Sequence, residues 1–247
     1  MTKKVLLAGE SWMSYTTHVK GFDAFYTSTY ETGEKWLKAA LEKGGYEVDF
    51  MPNHLVSEHF PFTVEELSKY RLVILSDVGS NTLLLPHATF ARSETRPNRC
   101  ATIRDYVLAG GGLIMVGGYL TFSGVDAKGR WGATPVQEVL PVKISDVDDR
   151  REHCEGIVPV AVKAHRALAE VKGPWPALLG YNRTEPLPGA DVVMTIGGDP
   201  FIAFSSHGRG KSAVFTSDCS PHWAPPPFVN WEYYDKLWQG IAGCLTE

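Results

Sequence analysis

Residues 100–118 read "CATIRDYVLAGGGLIMVGG". The first part spaces apolar residues as an amphipathic helix and halts at a run of glycines. The second part, "LIMVGG" (113–118), is a strand with no polar alternation. A strand apolar on both sides belongs inside a sheet covered on both faces, which is the condition of a parallel sheet between helices. The same unit recurs upstream. "KVLLAG" (4–9) and "RLVILSD" (71–77) are buried-strand runs, and "YEVDFMP" (46–52) alternates as a further strand. "EKWLKAALEKGG" (34–45) sets Trp36, Leu37, Ala40 and Leu41 on one helical face before its glycine stop. In "TVEELSKY" (63–70), Thr63 and Glu66 have the spacing of a capping box. The order βαβαβαβ predicts an α/β fold, a doubly wound and mostly parallel sheet flanked by helices, with right-handed crossovers.

Beyond residue 124 the texture changes to turns and short strands. "DVVMTIGGDPFIAFSSHGRGKSAVFTSD" (191–218) holds three strand runs joined by glycine turns. "GRGK" (208–211) lacks the spacing of a phosphate loop and reads as one of those turns. A last helix is expected over 232–245. These β-hairpin additions are expected to complete the same sheet, giving a single domain over 1–247. The segment 10–33, "ESWMSYTTHVKGFDAFYTSTYETG", reads as a polar, aromatic loop.

The chain has 247 residues, 44% of them hydrophobic, enough for one large core or two modest ones. Net charge is −4 and no basic run appears, which argues against a nucleic-acid partner. No apolar run approaches the ~20 residues of a membrane span. The apolar stretch after the N-terminal lysines is too short for a signal peptide. A cytoplasmic protein with no membrane partner is the expectation. Cys100, Cys154, Cys219 and Cys244 are scattered without CxxC spacing, so neither a disulfide framework nor a structural zinc site is expected, and no cofactor or metal.

In open α/β sheets, ligands bind outside the carboxyl ends of the strands. Four strand ends carry polar groups. The first delivers Glu10 in "GESW", an acid, base or hydrogen-bond acceptor, or a cap. The third delivers Asp77, Gly79 and Asn81 in "SDVGSN", where Asn81 reads best as a loop residue bonded to its own backbone. The turn after 113–116 presents Gly118, Tyr119 and Ser123. A late strand leads into "SDCSPHWAPPPF", with Asp218, Cys219, His222 and Trp223 in a proline-stiffened loop. The charge run "DVDDRRE" (146–152) reads as a solvated turn or ion-pair cluster, with Asp146, Asp148 and Asp149 as weaker cation candidates. His18 is a loop histidine whose neighbours Tyr15 and Phe22 can reach the same crevice.

These residues resemble a known family. "YRLVILSDVGSN" is similar to the strand and glycine loop that supply the oxyanion hole of class I glutamine amidotransferases. "LIMVGGYLTF" resembles their nucleophile elbow, and "SAVFTSDCSPHW" the strand bearing their catalytic histidine. Over nearly its full length the chain resembles the glutamine amidotransferase-like cytoplasmic proteins of bacteria, through "GFDAF", "SDVGSNTLLL", "GGYLTFSGV" and "SDCSPHWAPP". The resemblance implies a flavodoxin-like α/β fold and a triad. It puts Tyr119 where the cysteine stands, His222 at the histidine, and Ala224 where the glutamate stands. Glutamine hydrolysis needs a thiolate activated by histidine, and a phenol of pKa about 10 does not replace it. The expectation is therefore a protein without glutaminase activity, in which Tyr119, His222, Cys219 and Glu10 are the catalytic candidates. Asp77, Gly79, Asn81, Gly118, Ser123, Asp218 and Trp223 would bind a small polar metabolite. The alternative is a non-catalytic assembly module forming a homo-oligomer through the aromatic segment.

Overall fold

Each strand of the central sheet alternates its side chains between two apolar layers, and that alternation builds the molecule. The computed structural model describes residues 3–247. Its first half comprises β1 (Lys3–Gly9), β2 (Ser11–Lys20), β3 (Asp23–Thr32), α1 (Lys35–Lys43), β4 (Tyr46–Pro52), α2 (Asn53–His59), α3 (Val64–Leu67), β5 (Leu72–Ser76), α4 (Ser80–Leu84), α5 (His87–Arg92), α6 (Arg99–Leu108) and β6 (Gly112–Val116). There follow β7 (Val142–Ile144), β8 (Arg150–Ile157), β9 (Val160–Ala161), β10 (Leu178–Asn182), β11 (Thr184–Pro186), β12 (Asp191–Ile196), β13 (Asp199–His207), β14 (Gly210–Phe215), α7 (Pro226–Val229) and α8 (Tyr234–Thr246).

Eight strands form one sheet in the order β4-β1-β5-β6-β14-β13-β12-β9. The run from β4 to β14 is parallel, and β13, β12 and β9 continue it antiparallel. Val5, Leu7, Ile74 and Ile114 bury one face against Leu37 and Leu41 of α1 and Leu237, Trp238 and Ile241 of α8. Leu6, Ala8, Val73, Leu75 and Met115 bury the other face with Val56 of α2 and Ile103 and Val107 of α6. The Val, Leu, Ile and Met side chains among these contribute about 1.5–3 kcal/mol each on burial. Thr63 caps α3 with Glu66 answering, as the spacing predicts. Arg99, fully buried, donates to the carbonyls of Val56, Ser57, Phe60, Thr82 and Leu83, and so ties α2 and α4 to α6.

Two features of this sheet position a site. The chain leaves β1 for β4 on one side and returns to β5 on the other, so the crevice between β1 and β5 is the topological switch point. The register also aligns the strand ends: Gly9 lies opposite Ser76, Ser76 opposite Val116, and Val116 opposite Phe215. The loops leaving these strands therefore start at one level.

Three expectations are corrected. The segment read as a loop over 10–33 is the β2–β3 hairpin, joined by a turn at Gly21 (φ +62°) and Phe22. Its exposed polar residues hid the strand signal. Second, not every C-terminal strand completes the main sheet: β8 pairs with β10 and β7 with β11 as separate two-stranded sheets. Third, Asn81, read as a loop residue bonded to its own backbone, lies in the short helix α4 with its side chain exposed. No helix follows the turn after β6. Residues 117–141 instead run through short 3-10 segments, Val125–Ala127, Trp131–Ala133 and Pro135–Val139, so the elbow lacks the helix of a strand–turn–helix. The 208–211 turn and the C-terminal helix are found as read.

Candidate functional site

Because the strand ends are aligned, Glu10 and Asp77 stand side by side immediately beyond β1 and β5. Both take left-handed backbone conformations, φ +48° and +46°, which are uncommon outside glycine and cluster where the chain is held for function. The glycine before Glu10 is demanded by the close approach of the two strands: a Cβ at Gly9 would stand 1.8 Å from the Ser76 carbonyl oxygen.

Glu10 is buried, its Oε1 lying 2.6 Å from Ser220 Oγ and its Oε2 2.5 Å from Ser76 Oγ. Burial, with the charges of Asp218 and Asp77 adding to it, pushes its carboxyl up to about 8. At neutral pH it is a neutral acid that donates to one of the two serines. It caps no helix. Asp77 is half-buried, and burial first, then Asp218, raises its carboxyl to about 6. Its Oδ1 accepts from the Leu120 amide at 2.8 Å, and the Tyr119 amide also bonds the carboxylate.

Asp218, in the loop after β14, is buried and accepts from His222 Nδ1 at 3.2 Å through Oδ2 and from the Cys219 amide at 3.0 Å through Oδ1. A carboxylate only accepts, so Nδ1 of His222 carries the proton and Nε2 is left as the acceptor. The His222 side chain is 40% exposed, and among the described residues its Nε2 has no hydrogen-bond partner. Burial draws the imidazole pKa down. The Asp218 hydrogen bond and the charges of Asp218, Glu152 and Asp77 more than offset this and leave it raised. The Tyr119 ring meets the imidazole edge to face at 4.3 Å. Its hydroxyl donates to Glu152 at 3.1 Å, and the Arg150 guanidinium covers the ring at 4.8 Å. Burial, and next the Glu152 charge, raise the phenol. Tyr119 is therefore a protonated wall of the crevice.

Trp223 is buried, donating from Nε1 to Glu152 at 2.8 Å, so it supports the wall instead of facing a ligand. Cys219 is completely buried with Sγ 3.5 Å from Ser76 Oγ, and burial raises its thiol well above the ordinary range. The thiolate it would need as a nucleophile is disfavoured. Gly118 (φ +150°) lies against Asp77, where a Cβ would stand 2.9 Å from Oδ1. Ser123 is buried beneath the crevice, its amide donating to Asp149. Gly79 is buried under the 120–129 loop, and Asn81 is exposed on α4, so neither joins the cluster. His18 also stays outside it, on the hairpin, stacked on Phe25 and bonded to Thr27.

The charge run 146–152 is not one solvated cluster. Asp148 pairs with Arg150 at 2.7 Å. Asp149 is buried, accepting from the amides of Ser123 and Gly124 and from Asn182 Nδ2 at 2.8–2.9 Å. Asn182 Oδ1 in turn accepts from the Gly118 amide at 3.0 Å. Glu152 and Arg150 frame Tyr119. These supports, with Ser76 and Ser220, were missed in the sequence because a charge run and two serines carry no pattern. A cavity of about 440 Å³, lined by Asp146, Asp148, Asp149, Arg151 and Arg183 among others, meets these supports at Asp149 and includes none of Glu10, Asp77, Tyr119, Asp218 and His222. Among the described residues one group of metal-type ligands, Glu10, Asp218 and Cys219, has donor atoms within 4.8 Å of one another. The serines already engage both Glu10 oxygens, and no cation is assigned there.

A parallel sheet of this order, with its polar residues gathered at the carboxyl ends, defines a class I glutamine amidotransferase-like fold. A family described as "Putative glutamine amidotransferase" matches residues 4–247, and the chain belongs to it. Two solved structures are similar over nearly the whole length. Cytoplasmic protein STM3548 of Salmonella typhimurium is 44% identical, with a TM-score of 0.94 and 98% of each chain covered. Cytoplasmic protein STM1381 of Salmonella typhimurium LT2 is 41% identical, with a TM-score of 0.95 over 99% of this chain and 100% of that one. A ThuA-like protein of Parabacteroides merdae shares the fold at 13% identity, TM-score 0.60, covering 100% of this chain and 90% of its own. Among curated proteins, none matches the chain.

Proposed function

We propose that this protein binds and acts on a small polar metabolite in the β1–β5 crevice, with His222 as the group that takes and returns a proton. The observation that carries the reading is the Asp218–His222 hydrogen bond: a buried carboxylate fixes the tautomer and leaves Nε2 free at a half-exposed position. Glu10 and Asp77 extend the site as one neutral acid and one carboxylate that titrates near neutrality. Glu10 is held by Ser76 and Ser220 and backs the site, while Asp77 and His222 Nε2 are the acceptors open to a hydroxyl-rich ligand. The two Salmonella relatives carry the description cytoplasmic, and we place this chain in the same compartment.

Glutamine hydrolysis is not the activity we assign. Tyr119 replaces the nucleophile, Ala224 replaces the glutamate, and Cys219 is buried and protonated. In this fold an amide following the nucleophile serves a developing oxyanion. Here the Leu120 amide already donates to Asp77, so the glycine loop that resembles an oxyanion loop brings an acceptor and fills that place.

Two measurements test the reading. Incubation with glutamine is expected to release no glutamate or ammonia above background, and release abolished by Cys219→Ala would overturn it. A thermal-shift panel of monosaccharides, sugar acids and sugar amines is expected to yield a stabilising ligand. That shift should be lost in His222→Ala and Asp77→Asn, and should weaken below about pH 6 as Asp77 is protonated. A panel without effect on the native protein, or a shift both variants keep, would remove the site from the crevice.

A further inference from the structure

The β2–β3 hairpin leaves the body as a ribbon of two ten-residue strands. Its register sorts the side chains. One face carries Met13 opposite Tyr30, Tyr15 opposite Ser28, Thr17 opposite Tyr26 and Val19 opposite Ala24. The other carries Trp12 opposite Glu31, Ser14 opposite Thr29, Thr16 opposite Thr27, His18 opposite Phe25 and Lys20 opposite Asp23. The second face satisfies itself: Trp12 Nε1 and Ser14 Oγ donate to Glu31, His18 bonds Thr27 and stacks on Phe25, and Lys20 lies over the same ring. The first face has no such account. Met13, Tyr15, Val19, Tyr26 and Tyr30 are 48, 79, 70, 76 and 45% exposed. Among the described residues its one aromatic contact is Tyr30 against the edge of His54.

An antiparallel sheet with one apolar face buries that face, and a lone two-stranded hairpin is marginal in water. We propose that the apolar face docks on a second copy of this chain, two arms being exchanged about a two-fold axis. Area decides for a second copy. Ten residues at ~3.4 Å, across two strands ~4.8 Å apart, give a face of roughly 340 Å². A foreign partner covering that face once buries about 700 Å² in total, below the ~1,200 Å² of a specific interface. A two-fold axis repeats every contact, so reciprocal docking buries about 1,400 Å², within the standard range. A receiving surface adjoins the arm. Exposed Leu55, Leu85 and Phe90 lie on or beside α2, α4 and α5. Asn53 at the start of α2 bonds Ser11 at the root of the arm, and Glu58 of α2 bonds the first amide of α5.

Sedimentation velocity of the full chain tests this with two variants. One replaces Tyr15, Val19 and Tyr26 by Ser on the apolar face; the control replaces Thr16 and Thr27 by Ala on the other face. The expected result is a dimer for the native chain and the control, and a mass halved in the apolar-face variant, with circular dichroism unchanged. Should the triple variant lose its fold, the single Tyr26→Lys change carries the same test through a dimer dissociation constant raised roughly tenfold or more. A native chain that stays monomeric at every concentration overturns the proposal. So does a dimer that the apolar-face changes leave intact, or an assembly of three-fold symmetry.

Discussion

Glu10 and Ser11 are joined by one peptide bond, yet they begin two regions of opposite physics. On one side is the strand-end cluster, where Glu10, Asp218 and Cys219 are nearly or fully buried and every carboxyl oxygen of Glu10 has a partner. On the other is the arm, whose β3 is exposed along its entire length. In the cluster, polar groups are inside and their cost is met by hydrogen bonds, shifted protonation and left-handed backbone. In the arm, apolar groups of one face are outside, and among the described residues Tyr30 alone of them meets another ring, that of His54. The cluster satisfies its polar groups within one chain, whereas the arm leaves an apolar face uncovered.

The contrast breaks most severely at Gly9. Gly9→Ala would drive a Cβ into the Ser76 carbonyl at a φ of +109°, and we expect a loss of about 4 kcal/mol or more, read as failure to recover folded protein or a greatly lowered Tm. Next is Asp149→Ala, which strands two amides and Asn182. The expected loss is about 3 kcal/mol, or roughly 6–12 °C in Tm by calorimetry. An unchanged Tm would show that the cluster's supports are dispensable.

A further effect concerns pH. The folded-state pKa of Glu10, about 8, lies above its ordinary value of 4.5. Its proton therefore stabilises the fold below about pH 4.5, and that contribution is lost as pH rises toward 8. His222, also raised, adds a loss in the same direction as pH climbs through its folded pKa. The native chain should lose stability between about pH 5 and 8, and Glu10→Gln should flatten that decline, measured as urea midpoints across the range. An equal slope in both proteins would mean Glu10 is ionised when folded. Smallest of all, Thr16→Ala and Thr27→Ala on the polar face of the arm should change stability by no more than about 0.5 kcal/mol.

Much of this was legible because the core strands are short, apolar and punctuated by glycine. "KVLLAG", "RLVILSD" and "LIMVGG" announce a covered parallel sheet, and their ends indicate where Glu10, Asp77 and His222 gather. The arm was not legible as strand. Its alternation of Met13, Tyr15, Thr17 and Val19 has period two, but serines and threonines interleave it and no buried face gives the pattern contrast. The roles of Asp149, Asn182 and Glu152 were hidden for another reason: they depend on which loops meet across the sheet ends, and the local sequence does not specify that. Left-handed backbone at Glu10 and Asp77, beside the loop that carries Tyr119, has no signature in the sequence because neither residue is a glycine.

The alignment of Gly9, Ser76, Val116 and Phe215 across the sheet has a consequence for descent. The strand layers pack below that line, and the loops beyond it add their own buried residues, Phe122, Trp131, Cys219, Ala224 and Phe228, to the same two layers. A change at the part-exposed Tyr119 can therefore leave the scaffold whole, whereas a larger or charged residue at the fully buried Ala224 has to be accommodated by the core. The reaction is then free to drift while the architecture is inherited.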